Sequence, residues 1–128
     1  MFGKLEIFQI AGGLARHAGA RQNVIARNIA NTDTPGYTSK DIAPFADTVD
    51  ASGSPGLRAS RPGHLNLEQA SGTWTPKETG PASNKPNGNS VSLESEMVKA
   101  AEVQQQHTMA VNIYRSAMDI LTTSIRSR

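Results

Sequence analysis

Three histidines, two glutamates at the head of a helical pattern and three arginines near the N-terminus could do chemistry here. His17, His64 and His107 stand far apart in the chain, none at metal-ligand spacing, and no carboxylate cluster flanks them. Glu94 and Glu96 are two residues apart. On a helix they point to different sides, which is wrong for a paired acid and base. They read instead as the acidic first turn that a helix dipole favours. Arg16, Arg21 and Arg27 share no face with an aromatic platform for nucleic acid. They read as solvating the outer side of a helix, or as facing acidic groups on a partner. The chain has no G-x-S-x-G elbow, no phosphate-binding Gly-Lys-Ser/Thr loop and no dinucleotide fingerprint. No catalytic, cofactor-binding or metal site is expected, and no enzyme.

The sequence does specify a corner. In Asn31-Thr32-Asp33-Thr34-Pro35-Gly36-Tyr37, Pro35 denies the preceding helix another turn and pushes Thr34 toward an extended backbone. Pro35 and Gly36 then supply the fixed φ and the positive φ of a type II turn, and Tyr37 follows at once.

The elements around this corner are two helical patterns and an irregular middle. From about Leu5 to Ala30, the residues Phe8, Ala11, Ala15, Ala18, Gln22, Ile25 and Ile29 recur at steps of three and four, one helical face. Gly12, Gly13 and Gly19 weaken it by about 1 kcal/mol each. Close approach of another helix is one reason to keep such small residues. From Leu93 to about Ser127 there is no Gly or Pro. Here Leu93, Met97, Ala100, Gln104, His107, Val111, Tyr114, Met118, Leu121 and Ile125 step by four and three, a heptad seam. Ser92 is placed to cap a helix of roughly 50 Å. Between the two, residues 44–92 hold six of the seven prolines and six of the eleven glycines. Only Leu65–Glu68 and Thr73–Thr75 read as short strands there.

The chain of 128 residues is expected to be mainly α. Its N- and C-terminal helices would pair as a coiled-coil-like bundle on assembly, around a Gly/Pro/Ser-rich middle with at most short β strands. The expected divisions are 1–37 for the first helix and turn, 38–92 for the irregular segment and 93–128 for the last helix, with both termini forming one assembly domain. Sixteen alanines account for much of the 37% hydrophobic content, so bulky core formers are scarce. Alanine-rich faces bury little area, and the helices are expected to form fully only against neighbours. The absence of cysteine excludes disulfides and thiolate metal sites. A net charge of +2 gives no ground for nucleic-acid binding. No apolar run approaches the roughly 18 residues of a membrane span, so no membrane insertion is expected. No compact apolar block with a cleavage site opens the chain, so no removable signal is expected.

The run Asn28–Tyr37, with its A-N-x-x-T-P-G-Y core from Ala30, resembles the N-terminal signature of the bacterial flagellar rod and hook family. Arg61-Pro62-Gly63-His64-Leu65 is similar to that family's P-x-H-L element. Val91–Met97 is similar to the V-x-L-E-x-E-M lead-in to its last helix. The length suits the short proximal-rod members, which lack the larger outer domains of distal rod and hook proteins.

The resemblance implies a structural subunit that polymerises helically through its terminal helices. Its partners would be copies of itself, other flagellar rod subunits, the rod adaptor protein FliE and the MS ring. It would sit in the periplasmic part of the basal body, exported without a cleaved signal. The turn would fix where the chain leaves the first helix, with Tyr37 as a packing anchor and Asn31 and Asp33 satisfying exposed backbone groups. Phe8, Ile25, Ile29, Leu93, Met97, Ala100, Val111, Tyr114, Met118, Leu121 and Ile125 would be the assembly packing residues. Two other readings stay open. A second type of short rod subunit is disfavoured by the lead-in motif and by the lack of an R-x-Y-x-x-N block in the last helix. A soluble coiled-coil binding module would give an oligomer of fixed size.

Overall fold

The computed structural model describes residues 2–47, 74–79 and 85–127, with side chains from Glu6 onward. Two long helices dominate: α1 spans Phe2–Ala30 and α2 spans Leu93–Arg126. They pack antiparallel, since Asn28 near the end of α1 meets Glu96 near the start of α2, and Phe8 meets Tyr114. Both helices lie within a few residues of the bounds their periodicity predicts. Ser92 caps α2 from an extended backbone (φ −104°), its hydroxyl accepting from the Ser95 N–H, with Glu94 and Glu96 in the first turn. α1 ends in a tightened turn, where the Asn31 N–H bonds the carbonyls of Arg27 and Asn28.

The contact between the helices is a stripe of small residues. Ala11, Ala18 and Ile25 of α1 are buried, as are Glu96, Val103, Ala110 and Ala117 of α2. Each set repeats every seven residues, and Ala18, Ile25, Val103 and Ala100 form one packed cluster. Alanine facing alanine lets the backbones approach closely. The face of α2 turned to α1 is therefore offset from the expected seam. The residues that carry the periodicity of bulky groups flank the contact, and the smaller ones make it. His107, expected on the seam, is exposed, and so is Gln104.

A second face of α1 is also covered. His17, Val24 and Asn28 are buried there, because the segment from Lys40 to Phe45 runs back along the helix. Lys40 bonds Asn28, Asp41 pairs with Arg21, the Ala43 carbonyl accepts from His17 Nε2 at 2.6 Å, and Phe45 reaches Gly13. A Cβ on Gly13 would lie 3.2 Å from the Phe45 ring, whereas one on Gly12 or Gly19 would meet nothing within 4 Å. One of the three glycines thus makes room for a ring.

The only sheet among the described residues pairs β1 (Lys40–Asp41) with β2 (Lys77–Glu78), antiparallel. Lys40 faces Glu78 and Asp41 faces Lys77, so both cross-strand pairs join opposite charges. The strand expected at Thr73–Thr75 is corrected: Trp74 and Thr75 are not in a strand, and pairing begins after Pro76, which lacks an N–H to offer a ladder. Trp74 packs its ring edge-on against His17 at 5.0 Å. The strand expected at Leu65–Glu68 lies outside the described residues, as does His64.

At the far end of α2, Thr122, Thr123 and Ser124 each donate a hydroxyl to the carbonyl four residues back, at 2.8, 2.8 and 2.9 Å. No helix among the described residues is long and apolar enough to cross a membrane.

Candidate functional site

The corner after α1 forms as its residues dictate. Tyr37 N–H bonds the Thr34 carbonyl at 3.3 Å across Pro35 and Gly36, and Gly36 has φ +74°, the geometry of a type II turn. A second turn closes at Lys85-Pro86-Asn87-Gly88, where Gly88 N–H bonds the Lys85 carbonyl at 3.0 Å. There Pro stands second and Gly fourth, as in a type I turn. The two turns lie back to back: a Cβ on Gly88 would sit 3.6 Å from the Gly36 Cα. Gly36 N–H donates to the Asn87 carbonyl at 2.9 Å, and Ser90 N–H to the Tyr37 carbonyl at 3.0 Å. The signature turn is thereby laced to the residues that lead into α2.

Two buried asparagines lock this buckle. Asn89 is 0% exposed. Its Nδ2 donates to the carbonyls of Asn31 and Thr34 at 2.7 and 2.8 Å, and its Oδ1 accepts from Val91 N–H. Asn28, also 0% exposed, uses its amide in full. Nδ2 donates to the Lys40 carbonyl at 2.7 Å and to Glu96 Oε2 at 3.1 Å. Oδ1 accepts from the Tyr37 hydroxyl at 3.2 Å and from Lys40 N–H at 3.1 Å. Two donors and two acceptors are what an asparagine side chain has.

Glu96, 1% exposed, continues the network. Its Oε1 lies 3.3 Å from Lys99 Nζ, which reaches Asp41 at 3.9 Å. Asp41 takes a two-pronged pair from Arg21 at 3.1 and 3.3 Å, and Arg21 extends to Glu102 at 3.7 Å. The charges alternate in sign along this path, joining α1, β1 and α2. Such a network rigidifies, because its lone pairs and protons are committed to one another. Among the described residues no group of His, Asp and Glu could hold a metal ion.

One expectation is corrected here: Arg21 does not solvate an outer face but pairs within the chain. Glu96 stands in the first turn of α2 as expected, and its carboxylate also faces Asn28 in the interior. Of the turn residues, Asn31 donates its Nδ2 to the Arg27 carbonyl at 2.7 Å and accepts the Thr34 hydroxyl, so it closes the helix end. Asp33 is exposed. Tyr37 is half-buried, and its hydroxyl donates to Asn28 Oδ1. Sequence reasoning missed Asn28 and Asn89. A signal was present for the first, a polar residue one turn from Ile25 and beside Ile29 on the apolar side of a helix. Asn89 sits in the segment that reads as irregular.

The residues expected to pack on assembly divide. Ile25 is buried, and Phe8, Ala100, Val111 and Leu121 are half-buried. Ile29, Leu93, Met97, Tyr114, Met118 and Ile125 are exposed, Met97 by 62% and Ile125 by 68%. The exposed residues of α2 in this group form a flank on one side of the buried stripe. On its other side Val98, Met109, Ile113 and Ile120 form a second exposed flank. Met109, Ile113 and Ile120 of the second flank, with Ile7 of α1, line an open groove of about 800 Å³.

A helix pair buckled by a saturated polar network, with apolar flanks left uncovered, defines a structural subunit. The sequence pattern of the family described as "Flagella basal body rod protein" matches residues 11–38, which run through α1 and the turn. Three curated relatives carry the name flagellar basal body rod protein FlgB. The one from Bacillus subtilis is 30% identical over 108 residues, 83% of this chain and 82% of its own length. That from Agrobacterium fabrum is 28% identical over 127 residues, covering 95% and 94%. That from Cereibacter sphaeroides is 27% identical over 106 residues, covering 83% of each. The chain belongs to the flagellar basal body rod protein family, and within it to the FlgB type.

Proposed function

We propose that this chain is a structural subunit of the proximal rod of the bacterial flagellar basal body, polymerising helically through its terminal helices. The observation that carries this reading is that α2 is apolar on both sides of the stripe α1 covers. A helix with one neighbour needs one apolar face. A helix with two further flanks is built for neighbours on each side. Two different flanks favour head-to-tail contacts, which generate an open helix rather than a closed dimer. The family is structural, and its members' names place them in the rod.

The partners are copies of this chain and other basal-body components. At the base they would be the rod adaptor protein FliE and the MS ring. The subunit would act in the periplasm after export without a cleaved signal, and the ordering of its helices would be completed on joining the rod. The test is incorporation. Met118→Asp on one flank and Ile120→Asp on the other should each be lost from purified basal bodies, because burying an unpaired carboxylate is unfavourable. Normal amounts of both variants in the rod would overturn the reading. A discrete oligomer of fixed size on concentrating the wild-type chain would point to a soluble coiled-coil module instead.

A further inference from the structure

The stripes through which α1 and α2 meet are nearly periodic. Ala11, Ala18 and Ile25 repeat every seven residues, and so do Glu96, Val103, Ala110 and Ala117. Small apolar groups repeating in this way fit again after a slide of one heptad, about 10 Å along the axis. Alanine against alanine does not distinguish the two alignments. We propose that the Asn28–Glu96 pair is a register key that selects one of them.

Glu96 is the polar exception in the stripe of α2, and Asn28 meets it from the adjoining face of α1. Asn28 and Glu96 are 0% and 1% exposed and bonded at 3.1 Å across 68 residues of sequence. A slide in one direction brings Asn28 against Val103. A slide in the other brings Glu96 to Arg21, one heptad before Asn28, where it competes with the two bonds Arg21 makes to Asp41. The first alignment buries an amide against an aliphatic group, and the second disrupts a two-pronged ion pair. A lone polar residue in an apolar helix seam sets register in coiled coils for the same reason. The other contacts between the helices agree with the observed alignment but do not enforce it. The Arg21–Glu102 pair is 3.7 Å long with Glu102 56% exposed, so both groups can turn to water. The rival device is the lacing of the two turns, Gly36 to Asn87 and Ser90 to Tyr37.

The chain has no cysteine, so introduced pairs report alignment directly. Ala18→Cys with Val103→Cys reports the observed register. Ala18→Cys with Ala110→Cys and Ala11→Cys with Val103→Cys report the two slides. The full chain is oxidised at a concentration where circular dichroism shows both helices formed. With Asn28 and Glu96 in place, only the first pair should crosslink. In the N28L/E96L background, helicity should persist and a slid pair should crosslink as well. If the slid pairs stay silent in that background, the turn lacing alone sets register and the proposal fails. Loss of helicity there would show that the pair holds the fold rather than choosing its alignment, and would overturn it too. Glu96→Gln keeps an acceptor for the Asn28 amide and should crosslink only in the observed register. Slippage in that variant would rule out the hydrogen-bonded pair as the key.

Discussion

The two ends of the helix pair are built on opposite terms. At the end that carries the corner, Asn28, Asn89, Glu96 and Asp41 are buried or nearly so, and their polar groups are matched inside the chain. At the other end the helices touch through Ala11, Ala110 and Ala117, while Met109, Ile113, Met118 and Ile120 stay uncovered. Directional bonds close the first end. The second is sticky and unfinished. The contrast teaches that this chain settles its own geometry at one pole, while its exposed apolar flanks, Leu93 and Met97 included, run the length of α2.

The comparison can be broken most sharply at the closed end. Asn28→Ala removes four hydrogen bonds and strands Lys40 N–H, the Tyr37 hydroxyl and part of Glu96. It should cost about 3 kcal/mol, read as a lower urea midpoint. Gly36→Val comes next. A β-branched residue held at φ +74° costs about 2 kcal/mol and works against the turn that both laces depend on. Motility and the same denaturation curve check it; an unchanged midpoint would remove the turn from the argument.

Smaller effects sharpen the picture along α1. Gly19→Ala should stabilise by about 1 kcal/mol, since a Cβ there meets nothing. Gly13→Ala should return little or none of that gain, because its Cβ presses on the Phe45 ring. Equal gains at both positions would show that the ring contact carries no weight. The least effect on stability belongs to the open end. Met118→Asp should shift the midpoint by no more than about 0.5 kcal/mol while abolishing incorporation. That separation of folding from assembly is what the two poles predict.

Much of this architecture is legible in the residues. The helices announce themselves by a run without Gly or Pro and by Ser92, and Pro35-Gly36 dictates its turn. The interface between the helices is harder to read. Periodicity is carried by bulky side chains, and on α2 those are the ones left for others. The buckle is harder still. Asn89 gains its meaning from carbonyls of Asn31 and Thr34, more than fifty residues earlier, and no local pattern encodes such a meeting. Glu96 belongs to both worlds, since its position is right for a helix start and its partner is decided by tertiary packing.

The three hydroxyls at the end of α2 bear on how polar text behaves when water is stripped away. Thr122, Thr123 and Ser124 look like a hydrophilic finish, yet each donor already rests on a carbonyl of the preceding turn. Pressed between other chains, that last stretch would present methyl and methylene surface without marooning a proton. A tail that scores as soluble is thereby ready for a dry place.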